Sequence, residues 1–189
     1  MTKKELRKIY HDKRRHLSAQ ELIRLDKLLL IHFQQQPLGD IQSVLSFWPI
    51  EERWEVNTHM MIDYLSFIIP GLQLAFPVID TTEQTFKALL VDDDTEYRKN
   101  AYGIAEPVSG EEIDAEDIDL VFVPLLAFDK QGFRVGYGKG FYDRFLKTCR
   151  EDVLKVGFSY FEAEEVIDDI NEFDVPLNIC ITPNTIYEF

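Results

Sequence analysis

The chain reads Arg134-Val-Gly-Tyr-Gly-Lys-Gly-Phe-Tyr-Asp143 shortly after the apolar run Val121-Phe-Val-Pro-Leu-Leu-Ala-Phe128. Four of its nine glycines, at positions 132, 136, 138 and 140, fall within nine residues here. Such a density lets the backbone approach a ligand closely and adopt positive φ angles. A strand, a glycine-rich loop and a helix, in this order, direct free N–H groups and a helix dipole at phosphate oxygens. The stretch therefore predicts a nucleotide site at the end of a buried strand.

Three charged side chains complete this predicted site. Arg134 and Lys139 would neutralise phosphate oxygens, and Asp143 could hold a metal ion. The pattern is neither a Walker A loop, which requires Gly-Lys-Ser/Thr, nor a dinucleotide-binding fingerprint. The alternative is a glycine-rich turn that binds nothing, and the clustered charges disfavour it.

From residue 43 onward, apolar runs that predict strands alternate with patterns that predict helices. A strand–helix alternation is typical of an α/β fold with a mostly parallel, twisted sheet and helices on both faces. In such sheets ligands bind outside the carboxyl ends of the strands. We expect one domain, residues 1–189. Strands are predicted at 43–48, 72–78, 85–90, 120–125, 154–160 and 177–182, and helical segments at 58–68, 141–150 and 162–167.

The first 36 residues predict a pair of helices. Leu6, Ile9, Tyr10 and Leu17 fall close to one stripe of a helix, with the basic residues largely on other faces. Ser18 followed by Glu21 forms a capping box that starts a second helix, which ends before Pro37. Residues 1–17 carry seven Lys or Arg against two acids, so this segment is either a solvated helix or a surface for an anionic ligand.

Composition excludes several classes of protein. The net charge of −14 disfavours nucleic-acid binding, because phosphates would be repelled. No apolar run approaches the ~20 residues that span a membrane, and no apolar signal-peptide core follows the first charges. The two cysteines have no metal-binding spacing, which favours a reducing compartment. We expect a cytoplasmic protein, monomeric or weakly dimeric, that acts on a small molecule.

The glycine stretch closely resembles the signature of the 5-formyltetrahydrofolate cyclo-ligase (methenyltetrahydrofolate synthetase) family. The matching residues are Ala127-Phe-Asp129, Gly132, Arg134, Gly136, Gly138, Gly140, Tyr142 and Asp143. Lys3-Lys-Glu-Leu-Arg7 matches the family's first helix, and Phe173-Asp-Val-Pro-Leu177 is similar to its last motif. The resemblance spans Lys3 to Leu177 and leaves residues 80–100 unmatched.

This resemblance implies ATP as co-substrate and magnesium as the metal ion. Asp143 and Asp174 are the implied magnesium ligands, and Lys139, Arg134 and Tyr142 the implied catalytic residues. ATP contacts are implied for Lys3, Lys4, Arg7, Arg134, Gly136, Tyr137, Gly138, Lys139, Gly140, Phe141 and Tyr142, with Arg14 or Arg15 as further possibilities.

The resemblance also implies a reduced-folate site. Glu55-Val-Asn-Thr58 matches a family sequence whose Glu binds the folate, and a carboxylate suits the paired N–H donors of a pterin. Ile50 is the implied apolar wall of this site. A carboxylate at a helix start is the alternative role of Glu55, and core packing is favoured for Phe47 and Trp48. Tyr102-Gly-Ile-Ala-Glu-Pro107 resembles a family turn, and Glu106 is either near the site or an ordinary turn residue.

The implied reaction converts 5-formyltetrahydrofolate to 5,10-methenyltetrahydrofolate. ATP phosphorylates the formyl oxygen, N10 closes the ring, and phosphate leaves; no protein nucleophile is required. Two departures from the family leave single contacts open: Phe173 replaces a common His, and Ala163 or Glu164 stands where relatives have Gln. Two alternatives remain, a non-catalytic folate-binding or storage protein and an ATP-dependent enzyme of the same fold with another small substrate.

Overall fold

The computed structural model describes every residue from Met1 to Phe189. It contains four α-helices, α1 (Lys3–Arg15), α2 (Ala19–Phe33), α3 (His59–Ile68) and α4 (Phe141–Leu146). Its twelve strands are β1 (Ser43–Leu45), β2 (Gln73–Asp80), β3 (Thr85–Val91), β4 (Tyr97–Lys99), β5 (Ala105–Pro107), β6 (Glu112–Ile113), β7 (Leu120–Val123), β8 (Ala127–Phe128), β9 (Arg134–Val135), β10 (Leu154–Phe158), β11 (Ile179–Ile181) and β12 (Ile186–Glu188).

Eight strands form one sheet in the order β12-β11-β10-β7-β1-β2-β3-β6. The five central strands, from β11 to β2, pair in parallel. The strands at both edges, β12 on one side and β3 and β6 on the other, pair antiparallel. The predicted α/β fold with a mostly parallel sheet is therefore confirmed.

Alternate residues of the central strands feed two hydrophobic cores, because successive strand side chains point to opposite faces. Phe122 of β7 belongs to the core that includes Leu29 and Phe33 of α2 and Leu65 of α3. Its neighbour Val121 belongs to the core that includes Phe145 of α4. Helices therefore cover both faces of the sheet, as predicted.

Helix α1 lies away from both faces. Its buried residues Leu6 and Tyr10 pack with Leu126, Val135 and Ile167 in a third, smaller core. The hairpin of β8 and β9 belongs to this core, and Arg134 in β9 begins the glycine-rich stretch. The predicted helical pair thus diverges: α2 supports the sheet, whereas α1 places its basic residues beside the glycine loop.

Both N-terminal helices begin with a complete capping box. The Ser18–Glu21 box of α2 is confirmed, and an equivalent box, Thr2–Glu5, starts α1. In each, the hydroxyl accepts from the N3 amide and the Glu side chain returns to the N-cap amide, which satisfies donors that a helix start otherwise leaves free. The box at Thr2 fixes where α1 begins and hence where Lys3 lies.

Two predicted elements differ from the structure. The segment 162–167 is not helical, because Glu164 pairs with Asp129 in a parallel bridge and the Ile167 amide donates to the buried Asp129 carboxylate. Helix α4 ends at Leu146 rather than near Arg150, so its six residues contribute only a short dipole. The glycine loop also differs in position, because it follows the β8–β9 hairpin and not β7 itself.

None of the four helices has the length and apolar character that a membrane crossing requires.

Candidate active site

A cleft of about 900 Å³ opens where the chain leaves the carboxyl ends of β1 and β7. Its wall includes Phe47 and Trp48 after β1, Pro124 after β7, and residues of α1 and of the glycine loop. This is the location that the parallel topology predicts for a ligand. The predicted site residues line the cleft except Lys4, which is exposed on α1; the further possibilities for ATP contact, Arg14 and Arg15, do not line it either.

The glycine loop forms one side of the cleft and is tied to α1. Gly138 and Gly140 have φ angles of +87° and +68°, in the region that favours glycine. A Cβ atom on Gly138 would lie 3.3 Å from the Arg7 guanidinium carbon. Arg7 in turn donates from Nε to the Gly136 carbonyl at 2.8 Å. The missing side chain thus allows an α1 cation to rest against the loop.

The cations of this region differ in how they are held. Arg134 is buried, pairs with Asp143 at 3.0 Å and donates to the Val175 carbonyl at 2.5 Å. Lys3 pairs with Asp174 at 2.5 Å. Lys139 is exposed and forms no ion pair; its Nζ lies 5.8 Å from the centre of the Tyr102 ring. Arg134 and Lys3 therefore organise the site, and Lys139 is free to meet an anion.

Asp143 and Asp174 both face the cleft, but they are already bonded to protein groups. Asp143 Oδ1 accepts from Arg134 and from the Val175 amide, and its other oxygen has no protein donor. Asp174 accepts from Lys3 through both oxygens and from the Asn171 amide. No group of three or more His, Cys, Asp or Glu side chains is arranged as a metal cage. Two carboxylates fit magnesium, which uses one or two of them together with waters and substrate phosphates.

Glu55 lies at the other end of the cleft, in the loop between β1 and α3. Its Oε2 accepts the Ile50 amide at 2.7 Å, and the Tyr137 hydroxyl also interacts with this carboxylate. Burial raises the pKa of Glu55, and Tyr137, the Ile50 amide, Arg14 and Arg53 act in the opposite direction. Trp54, with φ of 50°, turns the chain so that Glu55 points back to Ile50. Tyr137 therefore belongs to this end of the cleft.

Tyr142 lies between the two ends. Its hydroxyl oxygen is buried and has no hydrogen-bond partner. Burial raises the pKa of Tyr142, Glu55 raises it further, and Arg134 opposes the shift, so both ends of the cleft act on this hydroxyl. A buried polar group without a partner costs free energy. The Tyr142 hydroxyl is therefore an uncompensated polar group in this structure.

The less certain sequence matches occupy distinct places. Glu106 lines the cleft, but its Oε1 accepts the Ile79 amide at 2.8 Å and Asn100 Nδ2 at 2.7 Å. Glu164 lies outside this cleft and accepts the Tyr10 hydroxyl at 2.6 Å. Phe173 is exposed at the rim, with the Lys147 ammonium 4.7 Å from its ring centre. Phe47 and Trp48 line the cleft as well as packing in the core.

Sequence reasoning missed several cleft residues. Lys147 lies one turn after Asp143 in the chain, a spacing that brings side chains to one helix face and could have predicted it. Arg53 precedes the Glu55 motif and stacks on Tyr137, with its guanidinium carbon 4.7 Å from the ring centre. Arg144 also lines the cleft, and no pattern in the sequence sets it apart from a surface arginine.

The model of the 5-formyltetrahydrofolate cyclo-ligase family matches residues 1–183. The chain belongs to this family. A 5-formyltetrahydrofolate cyclo-ligase of Mycoplasma pneumoniae is 30% identical over 188 residues, covering 96% of this chain and 98% of that protein. One of Mus musculus is 32% identical over 163 residues, covering 78% and 74%. One of Mycoplasma genitalium is 44% identical over 70 residues, which cover 36% of this chain and 42% of that protein.

Solved structures agree with these relatives. The NMR structure of the Aquifex aeolicus 5,10-methenyltetrahydrofolate synthetase superposes with a TM-score of 0.81, at 31% identity, over 100% of this chain and 93% of that one. The synthetase of Mycoplasma pneumoniae superposes with a TM-score of 0.74, at 25% identity, over 96% and 98%. The resemblance found in the sequence is thereby confirmed as family membership, and the relatives and neighbours are named as enzymes.

Proposed function

We propose that this chain converts 5-formyltetrahydrofolate to 5,10-methenyltetrahydrofolate, with ATP as co-substrate and magnesium bound. One observation carries the proposal: a single cleft holds a glycine loop with free cationic charge at one end, a shielded carboxylate at the other, and an unpartnered hydroxyl between them. A phosphoryl donor and a flat heterocycle with N–H donors would fill these ends. The names of the relatives and of the structural neighbours support the same reaction.

The glycine loop and the nearby cations would hold the triphosphate. Lys139 would neutralise the oxygens of the transferring phosphoryl group, because it is the loop cation without a protein anion. Arg7 would add charge from α1, and Arg134 would keep Asp143 in place. Asp143 and Asp174 would hold magnesium, which supplies further neutralisation of phosphate oxygens.

Glu55 would hold the pterin. Its carboxylate can accept two N–H donors from the ring in charge-assisted bonds, and Ile50 provides an apolar surface beside it. The Tyr142 hydroxyl, which has no protein partner and is acted on by both Glu55 and Arg134, would lie near the point where the formyl group meets the γ-phosphoryl group. Phosphorylation of the formyl oxygen turns it into a leaving group, N10 then attacks the carbon, and phosphate departs. The protein would contribute position and charge rather than a nucleophile.

The test is the rise in methenyltetrahydrofolate absorbance when the purified protein meets 5-formyltetrahydrofolate. Product should form with ATP and magnesium together and stop when either is omitted. ADP release should match product one to one. Folate binding without any product under complete conditions would point to a binding or storage protein. If the protein binds no folate but consumes ATP in the presence of another small substrate, it catalyses a different reaction in the same fold.

A further inference from the structure

Arg14 of α1 is buried in a way that stability does not explain. It is 2% exposed, forms no ion pair, and leaves its Nε without a hydrogen-bond partner. Its Nη2 donates to the Leu125 carbonyl at 2.6 Å, and its Nη1 lies 3.4 Å from the Tyr137 hydroxyl. A buried guanidinium without an anion normally costs free energy. The chain has an excess of acids, yet none pairs with this group.

The geometry leads from Arg14 to Glu55. Tyr137 lies between them: its hydroxyl faces Arg14 and also interacts with the Glu55 carboxylate. Because Arg14 Nη1 can only donate, the phenolic oxygen must accept there, and its own hydrogen is left to point at the carboxylate. Arg14 itself does not line the cleft. It therefore lies behind Tyr137 and Glu55 as seen from the cleft.

We propose that Arg14 is a positioning residue for substrate binding: through Tyr137 it orients the Glu55 carboxylate toward the folate. This inference rests on the proposed function, since it assigns the electrostatic support of the carboxylate that would meet the pterin. It replaces the earlier possibility that Arg14 contacts ATP. The role is separate from that of Tyr160, whose hydroxyl lies 3.2 Å from the Glu55 backbone carbonyl and 2.7 Å from Asp26.

The direction of the pKa shifts agrees with this role. Burial raises the pKa of Glu55, and Arg14 is one of the groups that lower it. The ionisable groups that face Glu55 are Arg14, Arg53, Tyr137, Tyr142 and Tyr160. Only Arg14 and Arg53 among them carry positive charge, and Arg53 borders the cleft. Arg14 is thus the buried cation that a ligand does not displace.

The experiment compares Arg14→Gln with Arg24→Gln, which removes the same charge from an exposed arginine of α2 that lies outside the cleft and forms no ion pair. Arg14→Gln should raise the KM for 5-formyltetrahydrofolate about tenfold, as expected for a lost bond to a charged group. The KM for ATP should stay within about twofold, and Arg24→Gln should change neither KM. The acid limb of folate affinity should move to higher pH, since a carboxylate with a higher pKa loses its charge earlier on acidification.

A double-mutant cycle separates positioning from packing. In a Glu55→Gln background, Arg14→Gln should have little further effect on folate KM, because the carboxylate on which it acts is gone. Arg14→Lys should recover part of the affinity and of the pH profile. If Arg14→Gln does not fold, Tyr137→Phe must give the same rise in folate KM and the same pH shift.

Three results would overturn the inference: equal weakening of both ligands, an unmoved acid limb, or additive effects with Glu55→Gln. Failure of the proposed function is a different result. In that case the wild-type protein itself would form no methenyltetrahydrofolate. A wild type that turns over while Arg14→Gln behaves like Arg24→Gln would remove only the role of Arg14.

Discussion

The two ends of the cleft are built on opposite principles. At the glycine loop the charge is positive, and the exposed loop cation, Lys139, has no ion-pair partner. At the other end the acceptor is the Glu55 carboxylate, which is half-buried, supported by the Ile50 amide and Tyr137, and acted on by the nearby Arg53. The first end is open to a highly charged ligand. The second has its carboxylate already held by protein groups.

This difference predicts how substitutions divide between rate and binding. A cation that meets charge developing in the transition state affects kcat, whereas a group that binds substrate and transition state alike affects KM. Removal of Lys139 should therefore reduce turnover, and changes at Glu55 should weaken folate binding.

Lys139→Ala should reduce kcat by about 100- to 1000-fold, since loss of one group that stabilises transition-state charge costs about 3–4 kcal/mol. Thermal stability should remain close to that of the wild type, because Lys139 is exposed and unpaired. Steady-state absorbance kinetics and a thermal melt measure both effects. Lys27→Ala, an exposed lysine of α2 outside the cleft, is the control. Full turnover in a folded Lys139→Ala variant would remove Lys139 from the chemistry.

Glu55→Gln should lower folate affinity about tenfold or more, because an amide donor replaces an acceptor that faces the pterin's donors, at a cost of about 1–3 kcal/mol. ATP affinity should change little. Equilibrium titrations with each ligand separate the two. Identical folate curves for variant and wild type would reduce Glu55 to a residue that closes the loop onto Ile50. The next candidate for the carboxylate that binds the pterin would then be Glu106.

The environment of Glu55 also predicts that folate affinity depends on pH. The raised pKa of Glu55 means that its carboxylate is protonated earlier on acidification than an exposed glutamate would be. The binding form is the carboxylate, so folate affinity should be complete above this pKa and fall as the pH drops through it. Affinity measured against pH should show this limb in the wild type and lose it in Glu55→Gln. An acid limb that survives in Glu55→Gln would belong to the folate or to another group.

Arg7→Ala should weaken ATP binding by about 1 kcal/mol, which corresponds to a several-fold rise in the KM for ATP. The KM for folate should stay nearly unchanged. Arg7 reaches the loop through the Gly136 carbonyl and borders the cleft. Lys8→Ala, an exposed neighbour on the same helix, is the matched control. A truncation of α1 would be a poorer test, since Leu6 is fully buried and its loss would disturb packing. An unchanged KM for ATP would leave Arg7 only a role in holding the loop.

The sequence predicted the sheet and the glycine loop of the cleft because both rest on local signals. Apolar runs predicted the central strands, and the glycine spacing with Arg134, Lys139 and Asp143 predicted the nucleotide end. Glu55 was found only through the family resemblance. The segment 162–167 was wrongly predicted as helical, because its apolar spacing could not show that Asp129, 35 residues earlier in the chain than Glu164, holds it extended.

Long-range partners explain the other omissions as well. The burial of Arg14 depends on Leu125 and Tyr137, which lie more than one hundred residues further along the chain. A basic run with seven Lys and Arg in 17 residues gives no sign of which one turns inward. The edge strands β6 and β12 are two and three residues long, too short for a periodic signal. The Lys3–Asp174 pair likewise joins residues that are 171 positions apart in the chain.

The smallest predicted effect compares the two capping boxes. Thr2→Ala and Ser18→Ala should each lower the free energy of unfolding by about 1 kcal/mol, the usual cost of losing an N-cap side chain. Only Thr2→Ala should raise the KM for ATP, by about twofold to threefold, because Thr2 fixes the first turn of α1 and Lys3 meets Asp174 from that turn. Chemical denaturation and ATP kinetics on both variants measure the difference. Equal KM values for the two variants would mean that Lys3 is held by Asp174 and the Asp169 carboxylate alone, without help from the cap.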